Sequence, residues 1–281
     1  MGRRSITDRR MGYAWMIVPI LPIVLATAVG AAVFGVVISA ISKMGTIPQP
    51  QNAQSALTPV MAGVFAVYGL SIFGFFIVLL FGAAAFYFMV DRRNQHFARQ
   101  QLLFSSLHSY LLGSAKTGSS NSISRLRYFS DDSVFGERHR PAGVWAILFL
   151  FVAPIAGLAL PYDLTRDLSF HEELQIKYQT TLVDALREAG YQPPTFPPSK
   201  LHKREPLFFV ILSAITAGLF WIYWFYTLLK DFNDHFADQA SFEDQILLLL
   251  RPPLPAKACK NCGGSVPGNA RFCPSCGTQV S

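Results

Sequence analysis

Residues 87–100 read Tyr87-Phe-Met-Val-Asp-Arg-Arg-Asn-Gln-His96-Phe-Ala-Arg-Gln100. Upstream, from Pro59 to Val90, the chain carries no Asp, Glu, Lys or Arg. As helix those residues would extend roughly 45 Å at ~1.5 Å per residue, enough to cross a hydrocarbon core of about 30 Å with tilt. Three other stretches are equally free of charge: Gly12 to Ser42, Pro141 to Pro161 and Leu207 to Leu229. The 281-residue chain is 51% hydrophobic and only 15% charged, against about a quarter charged in a typical soluble domain. That balance excludes a disordered chain, a collagen and a secreted disulfide scaffold. The expected fold is an all-α integral membrane protein with four apolar membrane segments, amphipathic helices and a small C-terminal metal module.

Arg3, Arg4, Arg9 and Arg10 precede the first run like the basic region of a signal peptide. The run that follows is far longer than the ~7–15 apolar residues of a secretory signal, which favours an uncleaved anchor. Tyr13, Trp15, Tyr87, Trp145, Tyr162, Trp221, Tyr223, Trp224 and Tyr226 mark the ends of the runs, where amphipathic rings settle at headgroup depth. Ala28, Ala31, Ala32 and Gly35 form a small-residue face in the first run that Ala62 and Ala66 repeat in the second, a pattern expected to let these two helices pack closely. The absence of ionisable side chains inside the runs argues against a pump or ion-coupled transporter.

The opening stretch recurs. Tyr87, His96 and Gln100; Tyr162, His171 and Gln175; and Tyr226, His235 and Gln239 share the spacing Tyr-x8-His-x3-Gln, each just after an apolar run. The outer copies also share Asn94-x-His96-Phe97-Ala98 and Asn233-x-His235-Phe236-Ala237. This is an internally duplicated unit. Four residues before each His stand Arg92, Asp167 and Asp231. On a helix these positions share a stripe with the His and Gln, beside an apolar face containing Leu164, Leu168, Tyr178, Leu182 and Leu186 or Phe232, Phe236, Ile246 and Leu250. A metal site or a proton-transfer dyad built on the Asp-x3-His pairs is the sharper reading of this pattern. A solvated stripe on interfacial helices is the expectation, because the first copy offers Arg92 where a ligand would be needed. His171-Glu172-Glu173-Leu174-Gln175 fails the His-Glu-x-x-His zinc-protease pattern at its fifth position.

Topology carries a conflict. Lys and Arg number four before the first run, one in 43–58, eight in 91–140, six in 162–206 and five after 229. Four crossings with both termini cytoplasmic satisfy the positive-inside rule, except for the six in 162–206. Re-entrant hairpins at Pro154 and Gly218 would bring that segment inside too. Length favours crossing, charge and repeat favour hairpins, and the expectation leans toward crossing. The fourth run, Thr216-Ala-Gly218 followed by Tyr223-Trp224-Phe225-Tyr226, resembles a prokaryotic membrane domain family of unknown function, which implies a small membrane domain and no activity.

The expected organisation is a first helix pair with its interfacial helix over 1–113, a flexible Gly/Ser-rich linker over 114–140, a third membrane segment with amphipathic helix over 141–190, a Pro-rich extended linker over 191–206, a fourth segment with amphipathic helix over 207–251, and a metal module over 255–281.

All four cysteines lie in that module, as Cys259-Lys-Asn-Cys262-Gly and Cys273-Pro-Ser-Cys276-Gly. Two Cys-x2-Cys pairs at this separation suit one tetrahedral zinc. The stretch resembles the short zinc ribbons appended to archaeal and bacterial membrane proteins; rubredoxin, the iron alternative, spaces its pairs much further apart. Zinc held by Cys259, Cys262, Cys273 and Cys276 would be structural, since four thiolates leave no open position. So small a module cannot fold on apolar burial alone, so the metal would supply the folding energy.

The expected function is non-enzymatic: a membrane-anchored zinc-ribbon protein that contacts the lipid bilayer and recruits protein partners at the cytoplasmic face of the cell membrane, or serves as an accessory subunit of a membrane complex. From Arg251 onward there are four basic residues and no acidic one; protein contact nonetheless ranks ahead of nucleic acid or anionic lipid. The alternative class is an oligomeric channel, transporter or membrane enzyme built from the repeated Tyr and His residues. No nucleophile elbow, P-loop or dinucleotide fingerprint supports it.

Overall fold

A computed structural model describes residues 4–44, 53–114, 121–196, 199, 201–251, 257–266 and 270–279. The elements are α1 (Arg4–Thr7), a 3-10 turn (Tyr13–Met16), α2 (Ile17–Met44), α3 (Ala53–Ser114), α4 (Asn121–Gly136), α5 (Ala142–Glu188), α6 (Pro206–Ile215), α7 (Leu219–Leu249), β1 (Lys257–Ala258) and β2 (Ser265–Val266). Three described helices are long and apolar enough to cross a membrane: Tyr13–Ser42, Thr58–Ser114 and Ala142–Glu188.

α2 and the apolar part of α3 form one antiparallel pair. Leu25 covers Gly74, Val36 covers Gly63, and Trp15 meets Phe88 at 5.6 Å between ring centres. A Cβ on Gly74 would fall 2.5 Å from the Leu25 side chain, so the glycine is what lets the helices approach.

The third and fourth runs behave differently: each folds back on itself. In α5, Val152 leaves the helical region (φ −135°, ψ 46°) two residues before Pro154, whose ring and missing N–H disfavour continuation. Arg140, just before α5, bonds Asp163 at 2.7 Å and Asp167 at 2.6 Å. In a straight helix residues 142 and 167 would be separated by roughly 38 Å. The chain therefore descends over about ten residues and returns. In the fourth run, α6 ends at Ile215, Ala217 and Gly218 adopt positive φ (49° and 91°), and α7 begins at Leu219. Phe209 of α6 packs on Phe220, Tyr223 and Trp224 of α7. Arg204, before α6, pairs with Asp231, closing the second hairpin as Arg140 closes the first. Neither run is therefore one straight helix: the breaks at Val152–Pro154 and at Ala217–Gly218 interrupt the apolar length.

The hairpin tips are the most exposed apolar residues of their segments, with Phe151 82% exposed and Ile215 74% exposed. Arms of about ten residues reach ~15 Å, half of a hydrocarbon core.

Beyond the hairpins, α3, α5 and α7 run on as a bundle joined by α4. Its core contains Phe104, Leu107, Leu111, Leu126, Tyr178, Leu182, Leu186, Phe242 and Ile246. Phe104 and Tyr178 stack at 3.6 Å, and the Tyr178 hydroxyl donates to the Phe104 carbonyl. Two expectations change. The amphipathic extensions do not lie singly along an interface; each is flanked by two others, which buries its polar stripe together with its apolar face. Residues 121–136, expected in a flexible linker, form α4, which packs through Ile123, Leu126 and the small Ser122, Ser130 and Ser133. The Gly/Ser-rich residues 115–120 lie outside the described residues, as do 197, 198 and 200 of the Pro-rich segment. Residues 191–196 carry no regular secondary structure, and Tyr191 and Phe196 pack on the bundle.

Candidate functional site

Between the apolar hairpins and the bundle lies a polar layer in which the duplicated residues meet. Asn94 and Asn233 play matching parts. The Asn94 side chain accepts from Arg140 N–H at 3.1 Å and donates to Arg140 C=O at 2.6 Å. Asn233 does the same to Met11, at 3.1 and 2.9 Å. Each Asn thus clamps a peptide just before an apolar run, residue 140 ahead of α5 and residue 11 ahead of α2. Arg93 reaches Asp167 at 2.8 Å, and Arg92 is buried over the Phe232 ring and bonds Asn233. Paired with Asp167 and Asp163, Arg140 holds its proton more strongly than a free guanidinium. Asp167 and Asp231 are therefore ion-pair partners of arginines and are not aimed at the histidines. Their partners stand 27 residues upstream, beyond any local sequence signal.

One turn further, His96, His171 and His235 converge. Their exposures are 0%, 0% and 3%, which overturns the expected solvated stripe. The ring centres form a near-equilateral triangle of 5.3, 5.0 and 4.9 Å, with interplanar angles of 68°, 79° and 73°. Each Nδ1 meets a carboxylate: His96 with Asp8 at 2.9 Å, His171 with Glu137 at 2.6 Å, and His235 with Glu172 at 2.6 Å. His96 Nε2 lies 3.1 Å from His235 Nε2, and His171 Nε2 is buried without a hydrogen-bond partner. One ligand atom from each of the three lies within 4.8 Å of the others, a set that can hold a metal ion. Phe97 stacks on His171 at 4.0 Å, and Phe236 covers His96 at 4.4 Å, fixing both rings from the apolar side.

The carboxylates come from unrelated parts of the chain: Asp8 after α1, Glu137 after α4, and Glu172 on α5. Asp8 also binds Arg99 at 2.6 Å, which in turn holds Glu243 at 2.5 Å. Burial raises the Asp8 carboxyl from its ordinary value, against the pull of Arg99. The sequence singled out the histidines but not these partners, and only Glu172, adjacent to His171, stood close enough to be noticed.

The second cluster is in the tail. Cys259 and Cys276 sulfurs lie 3.7 Å apart, and Cys262 and Cys273 sulfurs 3.6 Å apart, with no disulfide among them. Four sulfurs at ~2.3 Å from a tetrahedral zinc would be ~3.8 Å from one another. β1 and β2 pair antiparallel, Lys257 opposite Val266, bringing the first knuckle together. Gly263 and Gly277 take φ of 70° and 72°, and their N–H groups return to the Cys259 and Cys273 carbonyls at 2.8 and 2.9 Å. A Cβ would strain both turns. Hydrogen bonds from Thr278 bring the Cys276 thiol down to about 6. Gly264 N–H favours the Cys262 thiolate, but neighbouring Cys276 and Cys273 outweigh it and push that thiol up to about 12. The four cysteines are close enough together to bind a metal ion.

Comparison with protein-family models, with curated proteins and with solved structures returns no match for this chain.

Proposed function

We propose that the protein is a multi-pass protein of the cell membrane with both termini in the cytoplasm. Its tail is a structural zinc ribbon that recruits a protein partner at the cytoplasmic face, as a scaffold or accessory subunit. The observation that supports this reading is that the third and fourth apolar runs each fold back on themselves, Arg140 against Asp167 and Arg204 against Asp231. With α2 and α3 crossing and the hairpins re-entering, every Lys and Arg except Lys43 falls on the N-terminal side, as the positive-inside rule requires. The six basic residues of 162–206 then cease to be an exception. A reducing compartment keeps the thiolates available for zinc. The tail combines four basic residues with no acidic ones, a surface suited to an acidic protein segment.

The test is affinity capture from detergent with the full chain, beside a chain lacking residues 255–281. A defined partner set recovered with the full chain and lost on truncation supports recruitment by the ribbon. The same set recovered by both chains, or none by either, overturns it. A second reading, a membrane metalloenzyme or metal transporter, is favoured by one specific observation, the convergence of the three buried imidazoles.

A further inference from the structure

The three histidines pose a problem of donors and acceptors. In a neutral imidazole one nitrogen carries the proton and the other a lone pair. Against the carboxylates of Asp8, Glu137 and Glu172 each Nδ1 serves as the donor, which leaves three Nε2 lone pairs gathered among buried side chains. Two of them stand 3.1 Å apart and the third has no partner. Unpaired buried acceptors cost the full desolvation of the group, and convergent lone pairs also repel. A cation at their centre removes the whole penalty.

We propose that His96, His171 and His235 bind one divalent transition-metal ion, of which zinc is the reference case, through their Nε2 atoms. The geometry agrees with that occupant. Nitrogens at ~2.0–2.1 Å from a tetrahedral ion stand ~3.3 Å apart, and the ring centres ~5.2 Å apart; the triangle measures 5.3, 5.0 and 4.9 Å. Imidazole nitrogens suit zinc, copper, nickel and iron and are poor ligands for magnesium or calcium. The carboxylate behind every imidazole is the arrangement that fixes the tautomer and raises ligand basicity in metal sites.

Three protein ligands leave a coordination position open, unlike the four-thiolate tail. The repeat supplies what faces such a site. Gln100, Gln175 and Gln239 follow the histidines by one turn on the same three stripes. They are 1%, 4% and 0% exposed, and each has an Oε1 that is buried without a partner. A water bound to the metal has two protons to donate, and these amide oxygens, one helical turn along the same stripes, are unsatisfied acceptors. The Tyr-x8-His-x3-Gln spacing therefore encodes a layer of nitrogen ligands backed by a layer of oxygen acceptors. Solvent on such an ion is acidified toward neutrality, as at other three-histidine zinc centres.

The experiment uses the full-length protein in detergent, loaded with zinc and freed of excess metal. Elemental analysis should give two zinc per chain, and X-ray absorption should resolve a sulfur shell near ~2.3 Å and a nitrogen/oxygen shell near ~2.0–2.1 Å. The full-length Cys262→Ser, Cys276→Ser variant should keep one zinc and only the nitrogen/oxygen shell. His171→Gln should lower the content from two to one and leave only sulfur. A single zinc per chain with a purely sulfur shell in the unaltered protein overturns the proposal. So does a second zinc that survives in the folded His171→Gln, His235→Gln chain. The spectrum of the unaltered chain decides the matter even where a histidine variant fails to fold, and neither readout depends on whether the ribbon recruits a partner.

Discussion

Arg140 grips Asp167 through Nε and Nη2, at 2.6 and 2.9 Å, across 27 residues of chain that carry no other charge except Asp163 and Arg166. Arg204 grips Asp231 across the same interval. Equal intervals closed by equal pairs define two hairpins of one design, inserted beside the α2/α3 pair. This has a direct consequence for labelling. In sealed cells, cysteine placed at Pro194 should resist a membrane-impermeant maleimide, and cysteine at Gln51, between α2 and α3, should react. Reaction at position 194 from outside would mean that the third run crosses after all.

The Arg204–Asp231 pair stands at the neck of its hairpin with side-chain exposures of 19% and 9%. Removing one partner leaves a largely buried charge, so Arg204→Gln or Asp231→Asn alone should cost about 1–3 kcal/mol after discounting for residual solvent. The exchanged pair Arg204→Asp, Asp231→Arg should recover part of that loss. Thermal unfolding in detergent measures all three; equal stability of the single variants and the parent would show that the neck contributes nothing.

What the sequence reveals here depends on how local the cause is. The cysteine module is legible because each knuckle closes within four residues, and Gly263 and Gly277 stand where the turn needs them. The repeat is legible as spacing, but its meaning is not. His171 on a helix stripe reads the same whether the stripe meets water or two other helices, and only assembly of α3, α5 and α7 decides. Asp231 illustrates the hazard of i,i+4 reasoning: His235 is its neighbour on the helix, yet its partner is Arg204, delivered by a turn at Gly218. α4 was hidden by its serines, which read as linker; at the interface Ser130 and Ser133 are small enough to bring two helices together.

Metal in the tail and integrity of the bundle should separate cleanly, since the two share no ligand. Cys262→Ser should abolish the sulfur-bound metal and unfold residues 257–279, because so little apolar surface is buried there; among the described residues of the tail, Val266, Cys259 and Cys273 form its entire buried core. The midpoint of helix unfolding should stay within the ~0.5 kcal/mol typical of a distant surface change. Loss of helical signal on chelation of the sulfur site would instead tie the ribbon to the bundle.

Gly157 and Gly218 give a paired test of the hairpin architecture, because the same substitution should act with opposite sign. Gly157 lies in the returning arm of α5, where a Cβ would meet Phe149 at an ordinary 3.9 Å. Alanine there should be neutral or stabilise by about 0.5–1 kcal/mol through helix propensity. Gly218 turns the chain between α6 and α7 at φ 91° with open space around it, so no contact is lost, and any penalty comes from the backbone. Alanine at that φ should cost about 1–2 kcal/mol. If the fourth run were one continuous crossing helix, Gly218 would be an ordinary helical glycine and its alanine variant would stabilise as Gly157→Ala does. Unfolding midpoints for the two variants, measured in one detergent, therefore distinguish a re-entrant turn from a straight span.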